Sequence, residues 1–160
     1  MRAELTLTDV EADLAIVAIR DQLRVEGRAA AIAVADAQGE LIAFLRLDGA
    51  RRAPIQIAIN KAFTAAREHR PTFEIGRDAR HPEHGFPMSN YGDPRYVSWG
   101  GGEPVVLDGQ VVGAVGVSGA PEADDMRLAA LGVRAIVAAQ THPRDAGTGS
   151  DGTPEGRGGS

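Results

Sequence analysis

Apolar residues recur at Ala12, Ile16, Ile19 and Leu23, widened by Ala15 and Val17, which is the spacing of one helical face. Thr8 precedes this stripe with Glu11 three positions on, a capping-box arrangement, and Gly27 lies just past its end as a C′ residue. A first helix is therefore predicted from Thr8 to Glu26. The period then shortens. Ala30 to Asp36 is a brief apolar run, Ala37-Gln38-Gly39-Glu40 reads as a turn, and Leu41 to Leu47 follows, so the pair forms a β-hairpin. Pro54 suits the first position of a second helix, where its missing N–H costs nothing. Ile55, Ile59, Ala62 and Ala66 mark one side of that helix to about Glu68, and Arg70-Pro71 ends it.

From Gly76 to Gly102 periodicity fades, while His81, His84, Met88, Tyr91, Tyr96 and Trp99 accumulate. Long irregular segments inside a domain tend to carry function. Order resumes with Pro104 to Leu107, the Asp108-Gly109 turn, and Gln110 to Ser118, a second hairpin. Pro121 and Glu122 open a last helix through Gln140, striped by Met126, Ala129, Val133 and Val137. Strands that come in hairpins argue against a purely parallel sheet. The expected class is α+β: a single antiparallel sheet built from hairpins with flanking helices. Alternation along the last strand sets Val111, Gly113, Val115 and Val117 on one face and Val112, Ala114, Gly116 and Ser118 on the other. That second face is small, so a helix, a neighbouring subunit or a ligand must approach it closely.

Residues 1–142 are expected to form one domain and residues 143–160, which lack any large apolar side chain, a disordered tail. A body of that size buries roughly 65–70% of its unfolded surface, enough for a core without staples. The chain has no cysteine, which removes disulfides, thiolate metal sites and cysteine nucleophiles. Its net charge is −5, with Lys61 the sole lysine beside sixteen arginines, so no generic nucleic-acid surface is expected. No apolar run approaches the ~18 residues of a membrane span. Met1-Arg2-Ala3-Glu4 leads into a capping pattern rather than a signal peptide, and the expected location is cytoplasmic.

Several residues invite chemistry. Gly113, Gly116 and Gly119 have the wrong spacing and the wrong place, inside a strand, for a nucleotide loop. Gly100-Gly101-Gly102 reads either as a backbone wall beside a ligand or as a tight lead into the Pro104 strand. His81 and His84 are spaced as a metal pair but lie in loop context after which Pro82 intervenes, so two surface histidines are the plainer reading. Lys61 sits among Ile59, Ala62, Phe63 and Ala66, where it either anchors an anionic group or acts in proton transfer, or else faces solvent.

The segment Gly101-Gly102-Glu103-Pro104-Val105-Val106-Leu107-Asp108-Gly109-Gln110-Val111-Val112-Gly113-Ala114-Val115-Gly116-Val117-Ser118-Gly119 resembles the hallmark of GlcG/HbpS-like proteins, which include the C-terminal domain of PduO-type proteins. Ala33-Val34-Ala35-Asp36 with Gly39, and Asn60 to Ala66 with Arg70-Pro71-Thr72, fit the same pattern in the same order. The resemblance implies a profilin-like antiparallel sheet, homo-oligomers from dimer to octamer, and binding of haem or a related tetrapyrrole in some members. Where relatives use a histidine of the first helix as axial ligand, the helix from Thr8 to Glu26 has none, leaving His81, His84, Met88, Tyr91 and Tyr96 as iron-ligand candidates.

Two readings follow. In the first, haem or another small ligand binds at Lys61, Arg95, Tyr96, Trp99, Gly100, Gly101, Gly102 and Ser118, with His81 and His84 as candidate metal ligands. In the second, the chain is a small acid/base enzyme of organic-acid or aromatic catabolism, without a cofactor. Lys61 or His84 then moves the proton, Arg95 holds a carboxylate and the glycine amides form an oxyanion site.

Overall fold

The computed structural model describes residues 3–141, and the expected tail at 143–160 lies outside them. Helix α1 spans Asp9–Val25; the Glu11 carboxylate accepts the Thr8 backbone N–H at 2.9 Å and the Thr8 hydroxyl, closing the capping box. Gly27 ends the turn at φ +64°, a conformation that favours glycine. Strands β1 (Ala31–Asp36) and β2 (Leu41–Arg46) form the first hairpin. Helix α2 runs Pro54–Glu68 with proline in its first turn. Strands β3 (Gly102–Leu107) and β4 (Gln110–Ser118) form the second hairpin, and helix α4 (Glu122–Thr141) closes the described chain.

A helix α3 (Thr72–Ala79) and a 3₁₀ turn (Met88–Tyr91) interrupt what the sequence presents as loop. Helix α3 has only eight residues and buries Thr72, Ile75 and Gly76, too short a stripe for a periodic signal. It is held by contact instead: a Cβ on Gly76 would lie 1.9 Å from the Ser98 carbonyl oxygen.

The sheet order is β2-β1-β4-β3, antiparallel throughout, so the two hairpins join through the β1–β4 pair from Ala31↔Ser118 to Asp36↔Gly113. Its two faces differ in kind. On one, Ile32, Val34, Val115 and Val117 pack with Ile19 and Leu23 of α1 and Leu128 and Ile136 of α4. Each such burial contributes roughly 1.5–3 kcal/mol, so this layer holds the fold. On the other, Ala31, Ala33 and Ala35 meet Ala58 and Ala62 of α2, while Ala114 meets Ala65 and Ala66.

The small face of the last strand is thus covered by α2. Gly116 allows it: a Cβ there would stand 2.2 Å from the Ala58 carbonyl oxygen and 2.7 Å from the Ala62 nitrogen. The alternation expected along this strand fails at one point. The register shifts between Val105 and Val106, whose partners are Gly113 and Val111, so Val112 is the extra residue of a bulge. It turns into the core with Val115 and Val117, and Val111 stays half-exposed.

Edge strand β3 carries Glu103, half-buried and without an ion pair or side-chain hydrogen bond among the described residues. Burial, helped by the nearby Glu74 carboxylate, raises its pKa to about 7. A carboxyl raised in the folded state favours folding when protonated. Stability is therefore expected to fall as pH rises from about 4.5 to about 7, by on the order of 3 kcal/mol at most. Urea titrations across that window check this, and Glu103→Gln is expected to flatten the dependence; an unchanged slope refutes the assignment.

Candidate functional site

Lys61 lies on the face of α2 that meets the sheet, 3% exposed. Its Nζ donates to the Val117 carbonyl oxygen at 2.9 Å and to Asp125 Oδ2 at 3.0 Å. The other oxygen, Asp125 Oδ1, accepts the Ala120 N–H at 3.0 Å. Burial pushes the Asp125 carboxyl up, against the pull of the Lys61 charge and of the backbone N–H groups of Ala120 and Gly119. Lys61 is neither a solvent-facing residue nor an unpaired cation awaiting an anion. Its charge is already met, and it ties α2, the end of β4 and the first turn of α4 together.

Beside this pair opens a cavity of about 250 Å³ lined by Ile57, Lys61, Trp99, Gly100, Ser118, Ala120, Glu122 and Asp125. Trp99 stands at its rim, 54% exposed. Of the glycine triplet only Gly100 lines the space. Gly101 takes φ +112°, where a Cβ would sit 2.8 Å from the Val117 oxygen and 3.0 Å from Lys61 Nζ. On Gly102 a Cβ would stand 2.4 Å from the Lys61 carbonyl oxygen and 2.6 Å from Thr72 Cγ2. The triplet packs the chain among α2, α3 and α4. Two of its amides are engaged as well: Gly100 N–H donates to Glu122 Oε1 at 2.7 Å and Gly102 N–H to Thr72 Oγ1 at 2.9 Å. With two carboxylates and a neutralised ammonium, the cavity suits a neutral or cationic polar group rather than an anion.

Arg95 and Tyr96 belong to a different place. The Thr64 hydroxyl of α2 donates to the Arg95 carbonyl at 3.2 Å and accepts the Val97 N–H at 3.0 Å, pinning the segment to the helix. Tyr96 stacks on Tyr91 with centroids 4.3 Å apart and meets the edge of Phe63 at 5.2 Å. Phe86 adds a fourth ring, 6.2 Å from Tyr91. The Arg95 guanidinium lies 4.0 Å from the Phe63 ring centre and pairs with Asp93 at 2.9 Å and Glu40 at 3.5 Å. Arg67 covers the same ring at 5.4 Å and forms no ion pair among the described residues. Two shallow clefts flank the rings, one of about 330 Å³ along Met88 and Tyr96 and one of about 240 Å³ at Phe86, Asn90 and Tyr91.

Tyr91 donates its hydroxyl to Glu68 at 3.3 Å, and burial with that carboxylate raises its pKa, which disfavours a phenolate. His81 and His84 stack face to face at 5.0 Å in an exposed turn. His81 Nδ1 accepts the N–H groups of Glu83 and His84, so the imidazoles do not converge on a shared ion. Among the described residues no group of three His, Asp or Glu could hold a metal. His84 is 79% exposed by side chain and does not line the Lys61 cavity. The two proton-transfer candidates therefore share no cavity, and nothing in this geometry favours that reading.

The sequence-predicted residues thus divide. Lys61, Trp99, Gly100 and Ser118 share one cavity; Arg95 and Tyr96 share an aromatic surface packed against Phe63 and Thr64 of α2. Asp125, Glu122, Phe63 and Thr64 were not legible as site residues. The acidic first turn at Glu122, Asp124 and Asp125 reads in sequence as ordinary helix-start chemistry. Phe63 and Thr64 read as members of a helical stripe. No helix among the described residues is long and apolar enough to cross a membrane.

Comparison with known proteins adds to this picture. A family described as haem degrading protein HbpS-like matches residues 7–134. Protein GlcG of Escherichia coli is 34% identical over 118 residues, covering 74% of this chain and 85% of that protein. Among solved structures, Klebsiella pneumoniae protein ORFY superposes with a TM-score of 0.81 at 28% identity, covering 86% of this chain and 95% of that one. A double mutant of Streptomyces reticuli HbpS superposes at 0.73 with 32% identity, covering 84% of this chain and 89% of that one.

Proposed function

Because the chain belongs to the HbpS-like family, we propose that it is a homo-oligomeric binding protein for haem or a related tetrapyrrole. The observation that supports a place for it is the aromatic surface packed against α2: Tyr91, Tyr96 and Phe86, beside Met88. A flat macrocycle gains by stacking on such rings. The Lys61 cavity fits it poorly. At about 250 Å³ it is smaller than pockets that bury a drug-sized ligand, it lacks an imidazole or thioether, and its carboxylates repel propionates.

Beside the rings the Met88 thioether is a donor suited to iron, and the exposed His84 imidazole, two residues before Phe86 in the chain, is a second candidate. Arg67, which forms no ion pair among the described residues, is the cation suited to a propionate, since Arg95 already pairs with Asp93 and Glu40. Bound haem would supply an iron centre, while this chain's residues orient and shield it. At this surface one chain offers only shallow clefts, so a second copy would cover the opposite face of the ring.

Titrating the protein with hemin is expected to shift the Soret band to saturation at a fixed stoichiometry. Tyr96→Ala is expected to weaken binding roughly tenfold, the loss of one stacked ring. His84→Ala or Met88→Ala is expected to move the Soret maximum. Absence of any saturable shift in the unaltered protein overturns the proposal.

A further inference from the structure

Ser118 ends β4 on the face of the sheet that meets α2, since its register partner is Ala31 of that layer. It is 5% exposed, and its hydroxyl has no hydrogen-bond partner among the described residues. Among those residues no enclosed side-chain oxygen or nitrogen lacks a partner, so this hydroxyl opens onto the cavity of about 250 Å³ that Ser118 lines. A second donor is left over beside it. The Lys61 ammonium carries three N–H bonds; the Val117 carbonyl and Asp125 take two, and the third has no acceptor among the described residues.

Two further groups on the same cavity are unspent. Glu122 uses Oε1 for the Gly100 N–H and leaves Oε2 without a partner among the described residues. Trp99, 54% exposed at the rim, stacks on no ring and makes no hydrogen bond among them. The Lys61–Asp125 pair accounts for how α2 is held, but not for these four open groups.

Size and charge select what meets them. At roughly 30 Å³ per water, the space admits a molecule of about eight non-hydrogen atoms. Two carboxylates face one ammonium, so an anionic ligand is repelled. An ammonium ligand offers Lys61 no acceptor. A purely apolar one leaves the Ser118 hydroxyl and the Lys61 N–H unmet, at a cost comparable to a lost hydrogen bond. A hydroxyl group both accepts from Lys61 and donates to Glu122, and the carbon chain between hydroxyls packs against Ile57 and the Trp99 ring.

We propose that the cavity beside Lys61 binds a short neutral polyol, of about three or four carbons, through Lys61, Ser118 and Glu122 under Trp99. This site is separate from the aromatic surface and does not depend on haem binding.

Trp99 is the sole tryptophan, so its fluorescence reads this cavity directly. Titration of the unaltered protein with glycerol, and separately with erythritol, is expected to change that emission saturably for at least one of them, with a midpoint in the millimolar range. Glycerate, an anion of similar size, is expected to bind at least about tenfold more weakly. S118A is expected to lose roughly fivefold in polyol affinity, the worth of one hydrogen bond. E122Q, whose amide oxygen still accepts the Gly100 N–H, is expected to narrow the gap between glycerol and glycerate. A change in emission that stays linear in concentration for both polyols overturns the proposal, as does glycerate binding as tightly as glycerol. Unchanged polyol affinity in S118A, or an unchanged gap in E122Q, overturns it too.

Discussion

Replacing Lys61 by methionine is expected to destabilise the fold by about 3–5 kcal/mol, a fall in Tm of roughly 10–20 °C. The substitution keeps the length of the side chain and removes the partner of Asp125, whose side chain is 5% exposed. A carboxylate left alone in that setting keeps only the backbone N–H groups of Ala120 and Gly119. The Val117 carbonyl oxygen loses its lysine donor as well. Asp125 then takes up a proton more tightly in the folded than in the unfolded state, so the deficit is expected to narrow as pH falls. Urea unfolding at pH 5 and pH 8 reads both effects. The double variant K61M/D125N is expected to be more stable than the sum of the single losses implies, by about 1–3 kcal/mol. A loss below about 1 kcal/mol in K61M would mean that the pair does not form in solution.

Gly116→Val is expected to cost more than about 3 kcal/mol and to loosen α2 from the sheet. A Cβ at this position meets the backbone of a helix, not the mobile end of a side chain, so the helix itself must move. Movement of α2 carries Lys61 away from Asp125 and Thr64 away from Arg95 and Val97, since all these contacts start from the same helix. Loss of hemin binding is therefore expected to accompany the loss of stability. Gly109→Ala provides the contrast. Gly109 takes φ +75° with no neighbour within 4 Å of a Cβ, and the substitution is expected to cost only about 1–2 kcal/mol. Equal stabilities for the two variants would show that α2 does not press on the sheet.

Most of the architecture was legible because its signals are local. The Thr8–Glu11 box, Pro54 at the start of α2, the Asp108-Gly109 turn and the Pro121 step each act within one turn or one hairpin. The bulge at Val112 was not legible, because alternation counts residues and one unpaired residue inverts the count. Helix α3 escaped for a related reason: its support is Ser98 and Thr72's contact with Gly102, both supplied from distant sequence.

The candidate site was legible as residue types and not as an arrangement. Lys61 stood out among apolar neighbours, but its counter-ion lies 64 residues away and nothing near it in sequence announces the pair. The aromatic residues between His81 and Trp99 form one group by composition, yet Trp99 turns to one cavity and Tyr96 to another surface.

The sequence by itself determined the three long helices and the four strands, which strands form hairpins, and which family the chain resembles, since each rests on short-range periodicity and backbone preference. The tertiary structure alone decided which charges are neutralised, which glycines are packed and where open space remains, because burial and Coulomb energy depend on distances that only packing of remote segments sets.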